Sequence, residues 1–405
     1  MVINGTWNGR AITLSVKPNS LTVSLATDTG ADVLSYDGEG RLWTAMLDGV
    51  SYRSGLDGKM VAKWQTGRET RERRWVQPAE AFQIKEQARR RVGELQQGIL
   101  AGEATLSESL PPEARLALER VAAFDEERAR ADMLHYYHVY KPVGILPPDQ
   151  YMAVVLQATE GCAFNTCTFC DFYRERQFRI KRPDEFRAHA KAVREFLGEG
   201  LSLRRTIFLG DANALIAPMP RLMPIMEATN ELYDVECLGG IYAFLDGFSG
   251  EKKSPADYAA LAELGLKRVY IGMESGSDPL LRFLKKPGKA ADVVRAVQAM
   301  KTGGVAVGVI VLLGAGGHTY AEQHARETVR AINAMRLDMH DLIYFSELVT
   351  AEGMEYVRDA YQAHLQPLSA EERTVQGERI EAGLRFSRAG GVPHISRYDI
   401  REFVY

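Results

Sequence analysis

Three cysteines crowd into the segment Gly161-Cys162-Ala163-Phe164-Asn165-Thr166-Cys167-Thr168-Phe169-Cys170, and a fourth, Cys237, stands alone. Disulfide scaffolds spread many cysteines along a short secreted chain, so this crowding points to thiolate ligation of a metal centre. Three thiolates on one loop can hold three irons of a cubane cluster, and with no fourth cysteine nearby the last iron keeps a position open for a substrate or cofactor. Zinc suits the segment less well, because structural zinc takes four ligands and no histidine falls within or beside it. Three unligated buried cysteines are the bland alternative; free cysteine is often buried, yet seldom so clustered. C-x4-C-x2-C followed by a distant cysteine is also the plant-type [2Fe–2S] ferredoxin pattern, with Cys237 as fourth ligand. Against that electron-transfer alternative, 66 residues separate Cys170 from Cys237, and bulky Phe164 and Phe169 occupy the loop.

The elements that must position this loop form a regular series. Short apolar runs predict strands over 152–157, 206–209, 235–243, 268–273, 305–313 and 342–345, alternating with helix-like stretches over 183–197, 254–264, 289–300 and 321–335. Ser254-Pro255 offers an N-cap and a first-turn proline, and Gly265 and Gly303 sit where helix stops belong. Six strand-helix units in succession predict a parallel sheet with helices outside, an incomplete barrel whose sites lie at the carboxyl ends of its strands. The cysteine segment follows the first of these strands.

Upstream the pattern differs. Residues 1–66 alternate short β-like runs with turn signals such as Asp57-Gly58, predicting a small β-rich unit. Residues 67–146 shift to Glu, Arg, Gln and Ala and predict a charged helical linker region. Its basic residues are interleaved with glutamates, which favours a solvated face over a nucleic-acid contact. His135 and His138 flank Tyr136-Tyr137 and are expected to pack, since no carboxylates are placed to complete a metal site. The barrel is expected over 147–360 and a C-terminal extension over 361–405.

The chain has 405 residues, with 50 Lys plus Arg against 53 Asp plus Glu, for a net charge of −3. That balance excludes a polybasic nucleic-acid coat and an acidic tail. Residues 303–317 form the longest uncharged apolar stretch, too short for the about 20 residues that span a bilayer. No membrane association is expected. Residues 1–16 lack a basic stretch before an apolar run, so no signal peptide is expected and the default location is cytoplasmic.

In its cysteine loop and strand order the chain resembles the radical S-adenosylmethionine superfamily, in which a three-cysteine loop follows the first strand of a partial (β/α)6 barrel. Phe169, just before the third cysteine, is typical of that loop; the first interval is one residue longer than the usual C-x3-C-x2-C. Gly210-Asp211-Ala212-Asn213 stands where the family carries a Gly-Gly-Glu-like motif for the methionine amino group, with Asp211 as stand-in acceptor or, alternatively, a helix cap. Tyr270-Ile271-Gly272-Met273-Glu274-Ser275-Gly276-Ser277-Asp278 resembles the strand-four segment of the elongator catalytic subunit, methylthiotransferase and oxygen-independent coproporphyrinogen oxidase branch, where Glu274 or Ser275 would bond the cofactor's ribose or methionine portion. A buried ion pair is the alternative for Glu274. Val309 and Ile310 match the strand that packs against adenine.

The resemblance implies a radical enzyme in which a reduced [4Fe–4S] cluster cleaves S-adenosylmethionine to a 5′-deoxyadenosyl radical that abstracts hydrogen from a substrate. It implies a flavodoxin or ferredoxin as electron donor. With only Cys237 left over, a second all-cysteine cluster is not expected. Tyr173 and Cys237 are the catalytic candidates, Tyr173 as a hydrogen-atom relay; Cys237 is expected on the third strand and more readily as core than as ligand or hydrogen donor. Arg174, Arg179 and Lys181 could meet the carboxylate or phosphate of a small-molecule substrate, favoured over RNA or peptide, unless they form a solvated face.

Overall fold

The computed structural model describes residues 1–67, 71–247 and 253–405; residues 68–70 of the predicted helical region lie outside them. The chain forms two compact units, one of Met1–Pro142, Lys191–Arg205 and Glu402–Tyr405, the other of Val143–Ala190 and Thr206–Arg401.

The first unit is built on an antiparallel meander running from strand Val2–Trp7 to strand Arg71–Trp75, with Ala104–Leu106 added beside Val2–Trp7. Asn8-Gly9 and Asp48-Gly49 close two-residue hairpins, all four residues having positive φ. That is the conformation of the turn whose twist matches paired strands, and Asn-Gly and Asp-Gly adopt it most easily. Ile12, Leu14 and Val16 alternate inward along one strand and Leu21 and Val23 along the next. Helix Pro78–Leu100 covers this face with Ile84, Ala88, Val92 and Leu95, and helix Pro112–Ala122 adds Ala114, Leu118 and Val121. Arg71–Trp75 is a strand, not the helix its composition predicts. It pairs with Met60–Gln65 at the sheet edge, where arginines are useful because they discourage further pairing. His135 packs edge-on against Phe196, and the Tyr140 and Tyr405 hydroxyls are 3.2 Å apart.

The second unit is α/β. Its parallel strands run in sequence order: β1 (Ala153–Gln157), β2 (Thr206–Gly210), β3 (Ile241–Leu245), β4 (Leu266–Glu274), β5 (Ala306–Leu313), β6 (Leu342–Glu347) and β7 (His394–Tyr398). Ser254 and Asp257 make a reciprocal capping box at helix Pro255–Glu263, and Gly265 follows that helix with φ +95°.

Two expectations need correction. The third strand begins at Ile241, not Val235, because Gly239 and Gly240 hold φ of +65° and +103° and turn the chain there. Among the described residues the sheet has seven strands, one beyond the six expected: β7 lies in the stretch expected to be an extension and pairs in parallel with β6.

Candidate functional site

The cysteine loop leaves the carboxyl end of β1 and is pinned by its own backbone. Thr168 N donates to Leu284 O at 3.0 Å, Tyr356 N donates to Thr168 O at 3.0 Å, and Thr166 Oγ1 donates to Lys285 O at 3.1 Å. Asn165, the third residue of the four-residue interval, has φ +51° and donates through Nδ2 to Tyr173 O at 2.9 Å. Asparagine tolerates that left-handed conformation better than most residues. Arg174 then gathers three loop carbonyls, donating to Cys170 O at 3.1 Å, Asn165 O at 2.5 Å and Cys167 O at 2.6 Å.

Cys162, Cys167 and Cys170 all line one cavity of about 210 Å³ at the carboxyl ends of the strands. Phe164, Phe169, Phe172, Tyr173, Phe244, Ile310 and Leu312 form much of its wall. Burial pushes the Cys170 thiol up to about 12, despite a backbone bond from Phe172, and raises Cys167 against the pull of Lys286. Among the described residues no group of three His, Cys, Asp or Glu side chains converges on a single metal ion. A cubane places each thiolate on its own iron, and three thiols lining one cavity are a donor set it can take.

Glu274 and Lys286 face each other across the same cavity at 3.1 Å, both nearly buried. Burial opposes the Lys286 charge, but Glu274, Cys167 and Asp246 outweigh it and hold its pKa above the ordinary value. A side chain at Gly272 would collide with Glu274, so the glycine leaves room for this pair. Glu274 itself has φ +59°, a strained backbone for a non-glycine residue and one concentrated at functional sites.

Other predicted residues divide sharply. Phe169, Ala212, Asn213, Glu274, Ile310 and Tyr173 line the cavity; Gly210, Asp211, Ser275, Val309 and Cys237 do not. Asp211 is neither an open acceptor for an ammonium group nor a helix cap. Its Oδ1 accepts from Gln157 Nε2 at 2.7 Å, and its Oδ2 accepts from Gly161 N and Arg176 Nη1, both at 3.1 Å. The carboxylate thus ties β1 and β2 to the start of the cysteine loop. Ser275 is buried away from the cavity, with its hydroxyl 2.7 Å from His324 Nδ1. Val309 points to the other face of β5, as alternation requires when Ile310 and Leu312 face inward.

Cys237 is exposed in the turn before β3, at the end of the sheet opposite the cysteine loop, so it is neither a fourth ligand nor core. Arg174 holds the loop, as described, while Arg179 and Lys181 both bond Glu160 at 2.8 Å; these three cations serve the scaffold and do not form an anion site. Sequence reasoning passed over Lys286, Asp246, Ser346 and Tyr398 as cavity residues. Asp246 directly follows β3 and was legible from its place at a carboxyl end; Tyr398 sits on the strand that went unpredicted.

The second unit is a parallel α/β sheet whose first loop presents three cysteines to a cavity at the strand ends. Residues 156–332 match the Radical SAM superfamily. These residues carry a radical S-adenosylmethionine domain, and the cofactors of that family are a [4Fe–4S] cluster and S-adenosylmethionine. No curated protein matches the chain. Among solved structures it is similar to the cobalamin-dependent S-adenosylmethionine radical enzyme OxsB, at 14% identity over 57% of this chain and 31% of that one, with TM-score 0.37. SuiB of Streptococcus suis shares 10% identity over 87% of this chain and 72% of its own, with TM-score 0.41. The coproporphyrinogen III oxidase HemN of Escherichia coli shares 11% over 55% and 50%, with TM-score 0.41. The chain therefore spans about a third of OxsB and half of HemN. Among the described residues no helix is long and apolar enough to cross a membrane.

Proposed function

We propose that Cys162, Cys167 and Cys170 hold a [4Fe–4S] cluster, and that the cavity beside them binds S-adenosylmethionine and a substrate from which hydrogen is abstracted. When bound, the cluster supplies the electron that cleaves S-adenosylmethionine reductively, and a 5′-deoxyadenosyl radical carries the oxidising equivalent. The observation that carries this assignment is the convergence of the three thiols, and no other cysteine, on one largely apolar cavity.

The chain's own residues bind, orient and exclude water. Arg174 and Asn165 set the loop's shape around the enlarged interval, and Asp211 fixes its entry. Glu274 offers acceptor oxygens to a ribose or ammonium group, and its Oε1 is held in place by Lys286 Nζ at 3.1 Å. The aromatic walls keep the site dry, which protects a radical from quenching. A flavodoxin or ferredoxin is the proposed electron donor. With Arg174, Arg179 and Lys181 committed to the scaffold, a small substrate without strong anionic character fits better than the carboxylate or phosphate expected from sequence.

Anaerobic reconstitution tests the assignment. About four irons per chain, an S-adenosylmethionine-sensitive EPR spectrum and production of 5′-deoxyadenosine are expected, all lost in Cys162→Ala, Cys167→Ala and Cys170→Ala. A stable [2Fe–2S] centre indifferent to S-adenosylmethionine would overturn it.

A further inference from the structure

Four tyrosines pass through the interior of the α/β unit from the cavity toward the amino ends of its strands. Tyr398 lines the cavity, and its ring is 5.4 Å from Tyr344. Tyr344 stacks on Tyr270 at 6.4 Å, and Tyr270 lies 6.5 Å from Tyr242, whose hydroxyl reaches Gly239 O at an exposed site. The two middle hydroxyls converge on one carboxylate. Tyr344 donates to Asp149 Oδ1 at 2.7 Å, Tyr270 donates to Asp149 Oδ2, and Gln150 Nε2 donates to the Tyr270 oxygen at 3.0 Å. Asp149 is 30% exposed and its Oδ2 also pairs with Arg268 Nη1 at 3.4 Å, so a guanidinium and solvent share the carboxylate with the two phenols.

Ring packing alone needs no carboxylate, and leucine or phenylalanine would fill the same space. A phenol can be oxidised readily only if its proton leaves with the electron, and a carboxylate within hydrogen-bond reach is the group that accepts it. Here both middle phenols have that acceptor, and the rings lie within the about 4.5–7 Å range of direct aromatic contact.

We propose that Tyr398, Tyr344, Tyr270 and Tyr242, with Asp149 as shared proton acceptor, form a radical relay that removes a stray radical from the cavity and so protects the site. The inference rests on the radical chemistry proposed above. A carbon-centred radical in the cavity takes a hydrogen atom from Tyr398: the phenolic O–H breaks and a C–H bond forms. Tyr344 reduces the Tyr398 oxyl by one electron and passes its proton to Asp149 Oδ1; the Tyr398 phenolate takes a proton from solvent by way of Ser346, its hydrogen-bond partner. Tyr270 then reduces Tyr344, giving its proton to Asp149 Oδ2 while the proton on Oδ1 returns to Tyr344. Tyr242 completes the transfer by losing an electron to Tyr270 and a proton to solvent, with Asp149 reprotonating Tyr270. A solution thiol finally gives Tyr242 a hydrogen atom and becomes a thiyl radical.

The test freezes the reconstituted enzyme with reductant and S-adenosylmethionine but no substrate, and measures EPR and 5′-deoxyadenosine in the same samples. A tyrosyl signal is expected in the wild type, absent in Tyr398→Phe and altered in hyperfine shape in Tyr344→Phe; Phe keeps each ring and removes only the hydroxyl. Formation of 5′-deoxyadenosine with no tyrosyl signal, or a signal unchanged in Tyr398→Phe, would overturn the relay. Absence of 5′-deoxyadenosine instead counts against the proposed function, and a cofactor-free arm decides the relay in that event. The full chain, with Cys162 as its only cysteine, carries a ruthenium photo-oxidant on that thiol and 3-aminotyrosine at position 270. Flash oxidation of the aminotyrosine should slow by about tenfold or more in Tyr344→Phe. Equal rates would refute the relay whatever the cofactor chemistry.

Discussion

Asp211→Ala removes a carboxylate whose side chain is 1% exposed and on which three donors converge. Deleting one partner of a buried pair costs about 3–5 kcal/mol, most of it from leaving the other charge behind. Arg176 is 17% exposed and recovers some hydration, and burial already raises the Asp211 pKa against its three donors, so the lower end of that range, about 3 kcal/mol, is expected. Asp211→Asn separates charge from geometry. Its oxygen can take the place of Oδ2 toward Gly161 and Arg176, with its amide facing Gln157 once that side chain turns its own oxygen inward, so the loss should be smaller. Urea unfolding of the cluster-free chain followed by far-ultraviolet circular dichroism measures both variants. Tryptophan fluorescence serves as the control, because all four tryptophans, Trp7, Trp43, Trp64 and Trp75, belong to the first unit, and this signal should move less. A loss below about 1 kcal/mol in Asp211→Ala, the size of an ordinary single hydrogen bond, would refute the tie between Asp211 and the loop.

Arg174→Ala should release iron to a chelator faster than the wild type, and Arg174→Lys should recover only part of the difference, since an ammonium lacks the planar fork that spans three carbonyls; equal release rates in all three proteins would sink that role. Burial pushes His324 down to about 4, with its Nδ1 bonded to Ser275 and Thr328 and its Nε2 turned toward Leu312 without a bond. The unfolded chain therefore takes up this proton first as pH falls, so stability is full above about 6.5 and declines toward pH 4, by about 3 kcal/mol at most. His324→Asn should flatten that decline relative to wild type in urea titrations at pH 7 and pH 4.5, and parallel slopes would contradict it. Cys237→Ala should keep iron content, spectrum and 5′-deoxyadenosine formation, and in the cluster-loaded protein Cys237 should be the thiol that iodoacetamide modifies; loss of iron on this substitution would reopen the four-ligand alternative.

The barrel was legible where burial on both faces makes a strand continuously apolar, as in Ala153–Gln157 and Ala306–Leu313. It was illegible in His394–Tyr398, a partly exposed edge strand with no apolar run to reveal it. Val235 looked like the start of a strand because local composition does not show where paired glycines turn the backbone. The three cysteines that line the cavity stood out by spacing alone. The roles of Asp211, Arg174, Arg179 and Lys181 were not, because each depends on a partner brought close by folding. Glu160 cannot be seen from sequence to neutralise two cations at once, nor Gly161 to need a carboxylate.

The first unit is composed of three stretches separated by parts of the other unit, the last being Glu402–Tyr405. Its hairpins pair neighbours in sequence and can form as they leave the ribosome, since local contacts close quickly. Yet Asp57 N donates to Tyr405 O, and the Tyr405 ring lies 5.6 Å from Tyr140. Vectorial synthesis must therefore deliver every strand of the α/β unit before the meander receives residues 402–405. During translation the meander waits as an unfinished intermediate, and its incomplete surface is the stage of biogenesis at which a chaperone has most to cover.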